Sequence, residues 1–496
     1  MAHSKRGYVA MGFESTAGLA VIPNKFFEII SETLSDAKPL TMSGPIANTR
    51  TKNKHVNQNA NEAPAGEVVF EADPNTIGYW LKYLAGSPVT DSTPTEVTEY
   101  LHVFTAPYNS ALGTFTLDIA IGDDDSIRRY VGCKLTSFAI AVEGNVYRVT
   151  AGVMAQYEFI TARLLTATTA SGTTLNIDQV SGLVVGDVLN IGLGLGGAIE
   201  EEKAVETLTD ETAIEVAATA NNHAVNSLIS IKRQTPVFKQ VNKITLTGTS
   251  GTANVGAAGG LTKLATFNAT LTTTASDFVT AHAAAYLAVG IVVTSSGAVL
   301  IFTGQYEGTG FIIPTITNAS GNLAGTVAYT NPYIMKRLLW VGSDNEGSIG
   351  KIAGLIGDIA AEEFEGFTLS FTNDIEARNG TLTRNHINRY PKALLDKSYE
   401  CNLTLNQYWK DLDKQDVWDF TGQQALEVEA RGELAGSTIR SGLKIEIPNM
   451  VQTKQPLGNL GTDEVVEEEA EFAVVYDATQ AYEVKFTLTN KVSSYA

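Results

Sequence analysis

The chain is poor in the residues that most chemistry needs. Two cysteines in 496 residues rule out a disulfide framework and point to folding in a bacterial or cytosolic setting. The six histidines (His3, His55, His102, His223, His282 and His386) are scattered, and none pairs with another at metal-ligand spacing. HExxH, CxxC, GxSxG and Walker motifs are missing, so no catalytic, cofactor-binding or metal-binding residue is expected. Charge is sparse at 18 % of residues, and bases are outnumbered, 35 against 54 acids, for a net charge of −19. Such a surface repels phosphate backbones and excludes a protein that grips nucleic acid. The most apolar stretch, 281–302, is broken by His282, Tyr286, Ser295, Ser296 and Gly297, which fits a helix and two strands better than a membrane span. The opening residues lack the apolar core of a secretory signal.

What the chain does have is alternation. GTFTLDIAIG places Phe115, Leu117, Ile119 and Ile121 on one face, with Thr116 and Asp118 on the other. KLTSFAIAVEGNVYRVTAGVM reads as two strands around Glu143-Gly144-Asn145, and YECNLTLNQYW sets Cys401, Leu403 and Leu405 against Asn402, Thr404 and Asn406. Asp73-Pro74-Asn75-Thr76 forms an N-cap cluster ahead of a short helix, IGYWLKYLAG, that ends at Gly86. DLDKQDVWDF predicts a second short helix in the other half. Segments 1–162 and 336–496 share a layout of strand, long polar loop, strand, Trp-bearing helix and further strands. Each is about the size of one domain, and the expectation is two copies of one β-rich module. Between them, 163–235 predicts a small β-domain. Segment 236–335, with two acids and three bases, predicts a small α+β domain with its helix over 274–288.

Three motifs invite chemistry and fall short of it. Gly192, Gly194 and Gly197 match the spacing of a dinucleotide loop, but Glu200, Glu201 and Glu202 would crowd the phosphate position. Asp123-Asp124-Asp125 lacks the glycine and closing glutamate of a calcium loop. Glu467-Glu468-Glu469 sits in a strand pattern where Glu467, Glu469 and Glu471 project to one face, opposite Phe472, Val474 and Tyr476.

Several stretches resemble the bacteriophage tail tube protein family: MGFESTAGLAVIPNKFFEIISETL, GPIANTR followed by GEVVFEADPNTIGYWLKYLAGSPVT, RRYVGCKLTSFAIAVEGN, FEGFTLSFTNDIEARNG, LEVEARGE, LKIEIPNM and VEEEAEFAVVYD. They cover roughly 1–160 and 336–496; the middle third lies outside the resemblance. The resemblance implies a mainly β fold with two tail-tube-like sandwich or barrel modules, each with one short helix, plus the two inserted domains. It implies a structural virion protein whose rings stack into the tail tube through which DNA is ejected into the bacterial host. Its partners would be copies of itself, with a homotrimeric ring of pseudo-six-fold symmetry favoured and a hexamer if the halves fold as one module. Tape measure, tail terminator and baseplate or distal tail proteins complete the set. Genomic DNA would transit the lumen without specific binding, and assembly would occur in the host cytoplasm with no membrane involved. Candidate lumen-lining acids are Asp118, Glu467, Glu469 and Glu471. The long polar loops 43–66 and 376–397 offer Arg50, Lys52, Lys54, Arg378, Arg384, Arg389 and Lys392 as contacts between subunits or rings. Inserts that project outward favour a non-contractile, siphophage-like tail. The alternative is a tail adhesin or fibre protein that binds host surface glycans.

Overall fold

The computed structural model describes residues 7–35, 40–43, 55–58, 63–91, 100–106, 112–121, 126–193, 200–236, 238–256, 260–306, 310–312, 314–331, 335, 337–339, 345–351, 359–360, 364–378, 391, 393–408, 424–434, 440–454, 467–492 and 494–495. Strands dominate, and 18 of them, drawn from both ends of the chain, form one barrel-type hydrogen-bonded system. One hydrophobic core fills it. Phe70, Phe138, Ile140 and Val149 from the first half pack in the same cluster as Phe367, Leu403, Ile445 and Phe486 from the second.

The order of strand pairing in the first half recurs in the second. In the first, Lys25–Phe27 pairs with Tyr8–Phe13, which pairs with Phe115–Ala120, which pairs with the long strand Ile127–Glu143. The front of that long strand also takes Tyr157–Phe159. Its back half pairs with Val146–Met154, which leads to Ala65–Glu71 and then Ser31–Glu32. In the second half, Ile359–Ala360 pairs with Asn345–Lys351, then Gln424–Leu434, then the long strand Arg440–Lys454. The front of that strand takes Val484–Asn490. Its back pairs with Glu467–Val474, which leads to Ala393–Tyr408 and then Phe364–Arg378. Each long strand changes partners midway. At Gly132 φ is +67°, and a Cβ there would collide with the Gln156 side chain; in the second long strand Pro448 lies at the same turn of pairing.

The halves are not separate bodies. Ser137, Phe138, Ala139, Ile140 and Ala141 pair with Thr372, Phe371, Ser370, Leu369 and Thr368. Val484–Asn490 pairs with Tyr100–Ala106 over seven residues. Lys134 meets Asp396 at 2.6 Å. The C-terminal segment is stitched to the first helix: Asn490 Nδ2 donates to the Pro74 carbonyl at 2.7 Å, and the Tyr495 hydroxyl donates to the Asn75 carbonyl at 3.1 Å. The boundary expected between two self-contained modules is therefore crossed by ladders, an ion pair and a shared core.

The helix Ile77–Ala85 forms where the sequence places it. Asp73 Oδ1 accepts the amides of Asn75 and Thr76, and Gly86, at φ +88°, closes the end by donating to the Lys82 carbonyl. Trp80 is fully buried and stacks on Phe70 with ring centroids 5.2 Å apart. The counterpart helix expected at DLDKQDVWDF lies outside the described residues, as does Asp123-Asp124-Asp125.

The inserts leave the chain after Tyr157–Phe159. The first holds a six-stranded sheet. Glu201 and Glu202 open the strand Glu201–Leu208, so no helix follows the glycines and the dinucleotide geometry is absent there. The second holds a four-stranded and a three-stranded sheet with the helix Leu271–Leu287, capped by the Thr270 side chain accepting from the Thr273 amide.

Candidate assembly surface

Six neighbouring strands present one continuous polar face: Ala65–Glu71, Val146–Met154, Ile127–Glu143, Phe364–Arg378, Ala393–Tyr408 and Glu467–Val474. Alternation decides which residues stand there. Val68, Phe70, Phe138, Ile140, Val149, Phe367, Leu369, Phe371, Leu403, Leu405 and Phe472 turn inward and are buried. Their neighbours turn the other way, and pairing lines them up in rows. One row runs Val69, Thr150, Ala139, Ser370, Asn402, Ala473; the next runs Glu71, Arg148, Ala141, Thr368, Thr404, Glu471. Further along come Glu67, Gly152, Ser137, Thr372 and Glu400, and at the other edge Asn406 beside Glu469.

Chemically the face is smooth and acidic. Most of its side chains are Ala, Gly, Ser, Thr and Asn. Acids stand at Glu67, Glu71, Glu400, Glu469 and Glu471. The basic Arg148 is neutralised by an ion pair with Glu143, and Glu71 is met from the side by Arg337 at 3.2 Å. Short polar side chains offer no pocket, and like charges offer no anchor for a phosphate chain. Beyond the core, the strands Phe364–Arg378 and Ala393–Tyr408 stay paired as far as Arg378 and Ala393. Ion pairs there join Arg378 to Glu376 at 2.7 Å and Lys397 to Glu376 at 3.0 Å. The bonds from Lys397 and Arg378 hold the Glu376 carboxyl below its ordinary range.

The expected lumen residues separate under this geometry. Glu469 is exposed on the face, Glu471 is half-buried on it, and Glu467 lies in the same strand opposite Tyr408. Asp118 does not belong to it. The first insert packs over that side of Phe115–Ala120, adding Leu189, Ile191 and Ile229 to a cluster with Tyr8, Ala10, Ala120 and Ile127, so both faces of the strand are buried. Asp118 is there because Arg129 is. The guanidinium, with no exposure, donates to Asp118 at 2.7 and 2.9 Å and to Asp187 of the insert at 2.6 and 3.0 Å. It also donates to the Gly182 carbonyl at 3.1 Å. Burial alone would lower the Arg129 pKa; the two carboxylates more than offset this and raise it.

Of the loop candidates, Arg378 sits at a strand end paired with Glu376, while Arg50, Lys52, Lys54, Arg384, Arg389 and Lys392 lie outside the described residues. Sequence reading missed Glu67, Glu71 and Glu400 on the face. The alternation in GEVVFE and in YECNLTLNQ carried them, had the periods been extended one step outward. It also missed the Arg129 cluster, whose partners are 11 and 58 residues away.

The described residues form a β-rich scaffold with a shared core and a smooth acidic face, and among them no group of His, Cys, Asp or Glu could hold a metal. Residues 4–200 match the model of the phage tail tube protein family. That segment takes in the first set of paired strands and part of the first insert, less than half of the chain. No curated protein is similar in sequence. Among solved structures, the SPP1 tail tube is similar at 11 % identity, over 30 % of this chain and 78 % of that one, with a TM-score of 0.19. That likeness is too slight to bear on the fold, which is read from the strand pairing itself.

Proposed function

We propose that this chain is the repeating subunit of a phage tail tube: copies close into rings, rings stack, and the polar face of the six-strand sheet lines the channel through which DNA leaves the virion. The observation that carries this reading is the face itself. A conduit must not hold its cargo, and small uncharged side chains interrupted by acids give a wall without grips. Two like charges about 10 Å apart in water repel by roughly 0.4 kcal/mol, and salt near 0.15 M screens them beyond about 8 Å. The effect is therefore short-ranged and works only for acids on the wall, here Glu67, Glu400, Glu469, Glu471 and, from the strand pattern, Glu467.

The recurring order of strand pairing supports two copies of one module per chain. On that count three chains complete a ring of six modules; a ring of six chains is the alternative. Tape measure, terminator and baseplate or distal tail proteins would meet the ends of the stack, with assembly in the host cytoplasm. The inserts leave after the eighth strand of the first copy and project away from the lumen, since a narrow channel has no room for them. This favours a tail without a sliding sheath. Electron microscopy of the purified protein tests the reading, with native mass of an isolated ring alongside. Rings or tubes of three-chain mass are expected. Solitary particles at all concentrations would overturn the proposal, and a six-chain mass would replace its stoichiometry.

A further inference from the structure

We propose that the second insert carries a binding cleft for an uncharged saccharide unit, built where the strand Lys263–Thr266 meets the helix Leu271–Leu287. The proposal is independent of the tube reading and gives this insert a recognition role that a tube wall does not need.

One side of the cleft is the strand end and turn at 264–268. The other is a helix face that carries Asp277, Phe278, Ala281 and His282, residues whose spacing of three to four stacks them on adjacent turns. Its volume is about 550 Å³, within the range of roughly 300–1,000 Å³ for small-molecule sites. The backbone fixes its corner. Ala269 sits at φ +55°, a left-handed conformation that costs energy for a residue with a Cβ, and the Asn268 amide donates to the Thr274 hydroxyl at 2.9 Å. Asn268 is thereby held against the helix, where its Nδ2 donates to Asp277 Oδ2 at 2.7 Å. Further along the helix, the His282 ring meets Phe278 edge-on with centroids 4.9 Å apart, and its Nε2 lies 3.3 Å from the Leu264 carbonyl. A carbonyl can only accept, so Nε2 carries the proton, and in the neutral ring Nδ1 is left as an acceptor.

The lining is therefore unbalanced. Asp277 Oδ1, Asn268 Oδ1 and His282 Nδ1 are acceptors that meet no protein donor among the described residues. No lysine or arginine lines the cleft, so a phosphate or carboxylate ligand would face Asp277 without a counter-charge. What fits is a ligand that brings several donors and no charge, together with an apolar face for Leu264, Phe267 and Ala281. A pyranose has both: hydroxyls around its rim and C–H groups across its ring. An ammonium ion could serve the acceptors, but it would set its hydration shell against the apolar wall. A second cleft, of about 200 Å³ beside Phe13 and Lys82, shows the difference. Its carboxylate, Glu14, accepts from the Gly18 and Gly132 amides and from the Thr114 and Thr116 hydroxyls, so its oxygens are already used within the chain.

Saturation-transfer NMR on the full chain tests the proposal, with glucose, galactose and N-acetylglucosamine as probes at millimolar concentration and ethylamine as the cationic comparison. At least one sugar should receive saturation through its ring protons. Asp277→Ala and His282→Ala should each weaken that binding by about tenfold, as losing a hydrogen bond to a charged or strongly polar group does, while melting as the unaltered chain does. Three silent sugars would overturn the proposal, as would ethylamine binding in their place, or sugar binding that both variants keep undiminished. If either variant melts early, cross-linking of the unaltered chain to a diazirine derivative of the binding sugar decides: attachment within 264–282 supports the site, and attachment elsewhere overturns it. Rings or tubes that form and bind no sugar leave the tube reading standing.

Discussion

The two inserts sit next to each other in the chain and are held in opposite ways. The first shares its core with the barrel: Leu189, Ile191, Ile214 and Ile229 cluster with Tyr8, Phe26, Ile127 and Phe159. Beneath that cluster, Arg129 of the barrel grips Asp187 of the insert, and the Gln234 amide donates to the Tyr8 hydroxyl at 3.0 Å. The second insert has a cluster drawn entirely from its own residues, with Ile244, Phe278, Tyr286, Leu300 and Phe302 at its centre. Its surface is nearly uncharged. Apolar burial is indifferent to partner, but a buried guanidinium tolerates only one arrangement of carboxylates. The first insert is thus fixed in orientation relative to the wall, while the second keeps a core of its own.

Removing the clamp should have the largest effect. Arg129→Met leaves Asp118 and Asp187 buried and facing each other, and breaking a buried pair this way costs about 3–5 kcal/mol. A drop in the main melting transition is expected by calorimetry; an unchanged transition would show that the clamp does not couple insert and barrel. The triple change Arg129→Met, Asp118→Leu, Asp187→Leu should recover much of the loss, since apolar replacement of a buried ion pair is often neutral.

Phe278→Ala sharpens the contrast from the other side. It removes a buried ring from the second insert's own core, at a cost of roughly 3–4 kcal/mol. That cost should fall on a separate, lower transition and leave the barrel transition in place. A single merged transition that shifts as a whole would mean the second insert is coupled after all.

Acid should act on the barrel and spare the second insert. His102 is buried, its Nε2 2.7 Å from the Val492 carbonyl and its Nδ1 2.9 Å from the Thr90 hydroxyl, and burial lowers its pKa to about 4. The unfolded chain therefore binds a proton near pH 6.5 that the folded one refuses, so stability falls as pH drops from about 6.5 to 4, by on the order of 3 kcal/mol. Asp73 works against this: burial raises its carboxyl to about 7, so stability rises as pH drops from about 7 to 4. In Asp73→Asn, whose amide oxygen still caps the helix, the opposing trend is gone. Barrel melting by circular dichroism should then fall steeply below pH 6.5, and a flat profile would refute the His102 assignment.

The smallest effect on stability belongs to the wall. Glu469→Gln with Glu471→Gln should leave the melting temperature unchanged, because exposed substitutions rarely matter to folding. The readout is DNA release from assembled virions, expected to slow; unchanged kinetics would remove these acids from the proposed lining.

Much of this architecture is legible in the sequence. Period-two alternation around Phe138, Leu369 and Leu403 fixes strands and their inward faces, and the Asp73 cluster with Gly86 brackets the first helix to the residue. The wall face follows from the same alternation, although Glu67 and Glu400 need the period carried to the strand ends. Asp118 shows where this stops. Its strand alternates cleanly, yet the outward face is covered by a segment 60 to 110 residues further along, and no local pattern reports what will be laid on top. The weld of Ala139 to Ser370 is equally silent, because backbone ladders carry no side-chain code.

The sequence alone determined that this would be a strand-built, acidic chain with a repeated layout, since those properties follow from composition and short-range period. Only the tertiary structure decided that the halves share one core, that one insert is clamped and the other is not, and which acids face water. Each of those outcomes depends on contacts between residues far apart in the chain, where burial and electrostatics act through space and leave no trace in local order.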